Sequence, residues 1–175
     1  GYVSPDLHNH SVSHFVAPVL TSHDKRVVEV YCYYNNDQQD EVTDKIRGGV
    51  DHWMPCKHLS DPALAERVRA DDIDILIDLT GHTGNNRLLT FARKPAPVQI
   101  SWIGYPGTTG LKAMDYVLTD HYLDPVGLTD RHYTERLFRL SPNSFIFQPP
   151  VESPPVNDLP ALASQSFTFA CLNNL

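Results

Sequence analysis

Asp6-Leu7-His8-Asn9-His10, followed at once by Ser11, Ser13 and His14, is the densest cluster of groups in the sequence that can move a proton or hold a ligand. An unperturbed imidazole titrates near pH 6.5, so it exchanges protons at neutrality, and its neutral nitrogens also ligate metals. Two chemistries fit. In an extended segment His8 and His10 return to the same side and present nitrogens together, as in the Asp-x-His-x-His opening of metal-dependent hydrolases and phosphoesterases. In a strand-to-helix turn, one His stands beside an anionic ligand held by helix-end amides and works in acid–base catalysis. The metal reading needs further ligands: His82 and Asp120-His121 offer themselves, but there is no second dense cluster, and His82 lies in the turn-like Thr80-Gly81-His82-Thr83-Gly84-Asn85. Any one of these histidines, taken singly, is explained as well by a capping role beside Asn and Ser.

A second stretch, Gly104-Tyr105-Pro106-Gly107-Thr108-Thr109-Gly110, sets three glycines around a fixed proline φ, which lets backbone amides and hydroxyls approach a ligand closely. It lacks the Lys of a phosphate-binding P-loop and the spacing of a dinucleotide fingerprint. A tight turn accounts for it equally well.

Strands and helices must hold these stretches in place. Gly1 to Ser4 reads as the end of a strand, and Val27–Tyr34, Ile73–Leu79 and Val98–Ile103 read as strands from their β-branched and aromatic content. Ser11 to Leu20 places Val12, Phe15, Val16 and Val19 on one side of a helix. Ser60-Asp61-Pro62 is a cap followed by a first-turn proline, with Leu64 and Val68 continuing an amphipathic pattern to Ala70. This alternation predicts an α/β fold, a mainly parallel sheet with helices on both faces, in which ligands gather beyond the carboxyl ends of the strands. Ser4 to Ser13, Thr80 to Arg87 and Gly104 to Gly110 each follow a strand and fall in that position. The pattern weakens after about residue 120; residues 149–165 read as a Pro-rich extended linker, and residues 166–175 as the first strand of a second domain. The opening residues are expected to lie inside a fold with more chain upstream.

The 175 residues support one well-buried core. A formal net charge of −7, from 21 acidic and 14 basic residues, argues against a phosphate-tracking surface, so nucleic acid is not an expected partner. Cys32, Cys56 and Cys171 are odd in number and widely separated, and read as reduced core thiols of a cytoplasmic protein. No apolar run reaches the roughly 18 to 20 residues that span a bilayer, so no membrane association is expected.

Gly1-Tyr2-Val3-Ser4-Pro5-Asp6 with His10 and Ser13-His14, Asp78-Leu79-Thr80-Gly81-His82-Thr83 with Asn86-Arg87, Arg93-Lys94-Pro95-Ala96-Pro97-Val98-Gln99, Trp102-Ile103-Gly104-Tyr105-Pro106-Gly107-Thr108, and Met114-Asp115-Tyr116 follow one another in a specific order and spacing. That series resembles the protein O-linked N-acetylglucosamine transferases over nearly the whole chain, in wording closer to bacterial members. Phe167-Thr168-Phe169 with Asn173-Asn174 resembles the first strand of the family's second lobe. The resemblance implies a Rossmann-like first lobe, residues 1–148, of a two-lobe GT-B glycosyltransferase. It implies an inverting, metal-independent transfer of N-acetylglucosamine from UDP-GlcNAc to Ser or Thr hydroxyls of proteins, with no cofactor. The partners it implies are a UDP-sugar donor, a protein or peptide acceptor, a C-terminal catalytic lobe that supplies most nucleotide contacts, and helical TPR repeats upstream. By position, His10 is the family's His beside the reacting sugar, where it takes a proton or positions the two substrates. His14 stands beside it, and His82, Thr83, Pro106, Gly107 and Thr108 match positions lining the sugar pocket. Animal members carry a tyrosine where this chain has His82, which leaves the ring's role open. Plant relatives with a similar opening transfer fucose, which leaves the donor sugar open.

Overall fold

The computed structural model describes residues 1–149 and 153–171. Seven strands run in chain order as β1 (Tyr2–Ser4), β2 (Tyr31–Tyr34), β3 (His52–Pro55), β4 (Ile75–Asp78), β5 (Val98–Trp102), β6 (Tyr116–Asp120) and β7 (Arg136–Leu140). Between and after them lie α1 (Ser11–Leu20), α2 (Glu41–Gly49), α3 (Asp61–Ala70), the single turn α4 (Leu88–Phe91) and α5 (Pro160–Ser164). All neighbouring strands pair in parallel, in the order β3-β2-β1-β4-β5-β6-β7. This is the doubly wound, Rossmann-like arrangement expected from the alternation, and the strand order reverses between β1 and β4.

Successive residues along each strand serve opposite faces. Tyr2, Cys32 and Tyr34 join Val12, Val16 and Leu20 of α1 and Ile46 of α2 in one core. Val3, Tyr33 and Leu76 join Leu64 and Val68 of α3 and Leu88 and Phe91 of α4 in the other. A sheet covered on both sides needs apolar residues at every central-strand position, which is why these strands read as runs rather than alternations.

The expected helices match closely: α1 spans Ser11–Leu20, and α3 starts at Asp61 with the Ser60 hydroxyl accepting from the Ala63 N–H at 3.4 Å. The expected Val27–Tyr34 strand is cut to Tyr31–Tyr34. The N–H groups of Val27 and Val28 both turn back to the Asp24 carbonyl, and the two side chains are exposed despite their β-propensity. Strands β3, β6 and β7 and helices α2 and α4 stand where no element was expected. The edge strands β3 and β7 carry His, Pro and Arg on exposed or partly buried positions, and α2 is capped by Asp40, whose carboxylate accepts from the Thr43 N–H.

Within the span read as a linker, Pro160–Ser164 forms the short α5. Residues 166–171 are exposed and without strand pairing, and residues 172–175 of the expected strand lie outside the described residues. Cys32 and Cys56 are buried free thiols, whereas Cys171 is exposed and not part of the core.

Candidate functional site

Adjacent in the sheet, β1, β4 and β5 end on the same edge, so the loops that follow them meet at the point where strand order reverses. A cavity of about 490 Å³ opens there, within the size range of small-ligand pockets. Asp6, His10 and Ser11 bound it from the β1–α1 loop, Val12 and Phe15 from the first turns of α1, Thr83 and Gly84 from the turn after β4, and Ile103 and Gly104 from the end of β5. Phe145 completes the wall from the segment beyond β7.

The β1–α1 loop is pinned residue by residue. The Asn36 amide donates to the Pro5 carbonyl at 2.9 Å, the Thr43 hydroxyl to the Leu7 carbonyl at 3.0 Å, and the Asn9 N–H to the Asp40 carboxylate at 2.7 Å. The Ser13 hydroxyl donates to the Asp6 carbonyl at 2.6 Å, tying the loop to α1. His10 is the N-cap of α1, in extended backbone conformation, and its Nδ1 accepts from the Val12 N–H at 3.3 Å. A neutral ring accepting at Nδ1 carries its proton on Nε2, so Nε2 is a donor. It lies 3.9 Å from Asp6 Oδ1, beyond hydrogen-bond distance.

The other two loops interlock. Asp78, at the end of β4, is fully buried; its carboxylate accepts from the N–H groups of Thr80 and Gly81 at 3.1 and 2.9 Å and from the Ser101 hydroxyl at 3.2 Å. Burial pushes its carboxyl up to about 6, against the three hydrogen bonds that favour the charged form. A side chain at Gly104 would place Cβ 2.0 Å from the Leu79 carbonyl oxygen, and one at Gly81, where φ is +57°, would come within 2.3 Å of Tyr105 Cβ. Only glycine allows the two turns to close on each other. Beside them Ile103 adopts φ 64°, a costly conformation for a β-branched residue, and it faces the cavity.

The residues expected at a sugar pocket divide between places. His10 and Thr83 line the cavity, whereas His14 is exposed on α1 outside that lining. His82 is likewise outside the lining: Nε2 donates to the Thr109 carbonyl at 3.0 Å and the ring packs edge-on against Tyr105 at 5.3 Å. Pro106 and Gly107 border a second, smaller cavity of about 150 Å³ between β5 and β6. The Thr108 hydroxyl donates to Glu135 Oε2 at 2.7 Å, and Glu135 also accepts from the Thr109 N–H and hydroxyl. Burial raises the Glu135 carboxyl, but these hydrogen bonds outweigh it and hold it below the usual range. Thr108 therefore anchors the loop rather than facing the cavity.

Sequence reasoning passed over Ile103 and Phe145. Phe145 arrives through distant bonds: the Ser144 carbonyl accepts from the Trp102 indole at 3.1 Å, Asp120 accepts from the Ser144 N–H and hydroxyl, and Phe145 meets Phe15 edge to face at 5.5 Å. Phe15, placed by the sequence only on the apolar side of α1, also lines the cavity, one turn beyond Ser11.

His8 is buried with its Nδ1 unpartnered, and its ring lies tilted 5.7 Å from that of His10. Among the described residues no three His, Cys, Asp or Glu converge as a metal site would require, so the Asp-x-His-x-His alternative finds no support. Nor is any helix among them long and apolar enough to cross a membrane.

The chain is 43% identical over its whole length to a Hordeum vulgare protein named "Probable UDP-N-acetylglucosamine--peptide N-acetylglucosaminyltransferase SPINDLY", of which it spans 19%. It is 35% identical over 83% of its length to the Caenorhabditis elegans UDP-N-acetylglucosamine–peptide N-acetylglucosaminyltransferase, of which it spans 13%. The solved structure of a Thermobaculum terrenum O-GlcNAc transferase mutant, K341M, superposes with a TM-score of 0.87 at 46% identity, over 90% of this chain and 30% of that one. The pattern of glycosyl transferase family 41 matches residues 1–149, and the chain belongs to that family.

Proposed function

We propose that this chain is the first catalytic lobe of a protein O-GlcNAc transferase: it moves N-acetylglucosamine from UDP-GlcNAc to Ser or Thr hydroxyls with inversion and without a metal. The observation that carries this reading is the cavity at the reversal of strand order, walled by His10 and opening on the N-terminus of a ten-residue helix. The positive end of that helix favours the diphosphate of a nucleotide sugar, and the relatives' names give the donor and acceptor class. His10 stands at the reacting centre, lining the cavity with Nε2–H free of the helix cap and suited to hold a substrate oxygen. Thr83 and Gly84 form the opposite wall, and the remaining nucleotide contacts belong to the second lobe.

The test is transfer by a protein carrying both lobes, read as the mass gain of a Ser/Thr peptide with UDP-GlcNAc or with a nucleotide-activated fucose. Transfer from UDP-GlcNAc that survives a chelator is expected; transfer of fucose alone, or loss of activity with the chelator, overturns the reading. His10→Asn keeps a side chain able to cap α1 but removes the imidazole, and is expected to lower turnover at least about 100-fold with an unchanged circular dichroism spectrum. Near-normal turnover removes His10 from the reaction.

A further inference from the structure

Asp78, Asp120 and Glu135, other buried carboxylates of the fold, each take at least three hydrogen bonds. Asp6 differs. Its side chain is only 17% exposed and lines the cavity, yet among the described residues none donates a hydrogen bond to its carboxylate. Its structural work is done by its main chain, through the Ser13 hydroxyl on its carbonyl and its own N–H on the Ser4 hydroxyl. The helix cap, which such an Asp often provides, is taken by His10. The titratable groups that face it are His8 and His10 from its own loop and Tyr34 from β2. Burial raises its carboxyl above the usual range, more than the two histidines lower it.

The neighbouring imidazole cannot do what this carboxylate can. With Nδ1 engaged by the helix, His10 presents a proton at Nε2, and accepting one there requires the other tautomer and the loss of the cap. We propose that Asp6 takes the proton of the acceptor hydroxyl, with His10 as the hydrogen-bond donor that holds a substrate oxygen beside it, an assignment that rests on the transferase reading above. As the acceptor oxygen bonds to the anomeric carbon, the bond from that carbon to the diphosphate oxygen breaks and the diphosphate leaves with its electron pair. The hydroxyl proton passes to an Asp6 oxygen and from there to solvent when product departs. The gap of 3.9 Å between Asp6 Oδ1 and His10 Nε2 leaves each group free to take its own substrate atom.

Asp6→Asn and Asp6→Glu in a protein carrying both lobes test this. Asp6→Asn is expected to lower kcat at least about 100-fold while KM for donor and peptide stays within about threefold. Wild-type kcat/KM is expected to rise with pH as the carboxyl ionises; Asp6→Asn loses that acidic limb and Asp6→Glu recovers part of the rate. Turnover of Asp6→Asn within about fivefold of wild type, or an unchanged acidic limb, overturns the assignment. A wild-type protein that transfers no sugar to any Ser or Thr peptide sinks the transferase reading itself; one that transfers normally while Asp6→Asn does too sinks only the role of Asp6.

Discussion

Two buried carboxylates at strand ends show how position alone sets charge. Asp120 is held at about 2, chiefly by hydrogen bonds from the N–H groups of Leu123 and Ser144, then by the Ser144 hydroxyl and the Tyr122 N–H. Asp78 has three hydrogen bonds but no solvent, and burial carries it up to about 6. The signs are opposite. Asp120 contributes stability that is present above its unfolded value and is lost as pH falls through about 2. Asp78 binds its proton more tightly in the folded chain than in the unfolded one, whose ordinary value is 3.8. Its contribution is present in full below that value and is lost as pH rises through about 6. Moving a carboxyl from 3.8 to about 6 corresponds to roughly 3 kcal/mol between the fully acidic and fully basic limits. Asp78→Asn removes this titration, so the stability difference between variant and wild type is expected to change by about 2 kcal/mol between pH 4 and pH 7, in favour of the variant at the higher pH. Urea unfolding at both pH values measures it; a constant difference would mean that Asp78 is ionised in the native state throughout.

Among the elements, α2 does the least conspicuous work and the most for the site. Thr43, on its first turn, is fully buried and donates to the Leu7 carbonyl, fastening the loop that carries Asp6 and His10. Thr43→Val keeps the shape and removes the donor, leaving a buried carbonyl unpaired at a cost of about 1 to 3 kcal/mol. The urea midpoint is expected to fall accordingly with an unchanged slope; an unchanged midpoint would show that the loop is held without it. Nothing in the sequence of α2 advertises this role, because its segment is polar and its two buried positions, Thr43 and Ile46, make no apolar run. Elements whose signal is local were legible: α1, α3, β4 and β5 fall within two residues of their expected bounds, since continuous apolar faces and a Ser–Asp–Pro cap determine them. Strands β3, β6 and β7 were not: β3 and β7 lie at the ends of the sheet and can carry His and Arg, and β6 is a short run that ends in Thr119 and Asp120. The site divides the same way. His10 stood out in a dense run of titratable residues after a strand, and Thr83 was picked out by the family resemblance of its turn, whereas Phe145 reaches the cavity only through Trp102 and Asp120, which no local pattern encodes.

At the scale of the molecule, both cores draw their residues from the first 118 positions, and the segment that walls the cavity ends with Phe147 packed against Phe15 at 5.8 Å. From Ser153 to Cys171 every described residue is exposed except Ala161, and α5 buries nothing. Stability in a domain of this size comes from buried apolar surface and satisfied buried polar groups, and the later segment adds neither. A chain ending at Pro149 is therefore expected to unfold in urea at the same midpoint as the 175-residue chain. Its slope is also expected to be nearly the same, because the slope follows the surface newly exposed on unfolding, and residues 153–171 are already exposed. A lower midpoint would mean that the later segment covers part of the lobe in solution, and protection of Phe145 and Phe147 in the longer chain alone would place that cover over the cavity mouth. An equal midpoint would leave the whole stability of the lobe in residues 1–149, the span matched by the family.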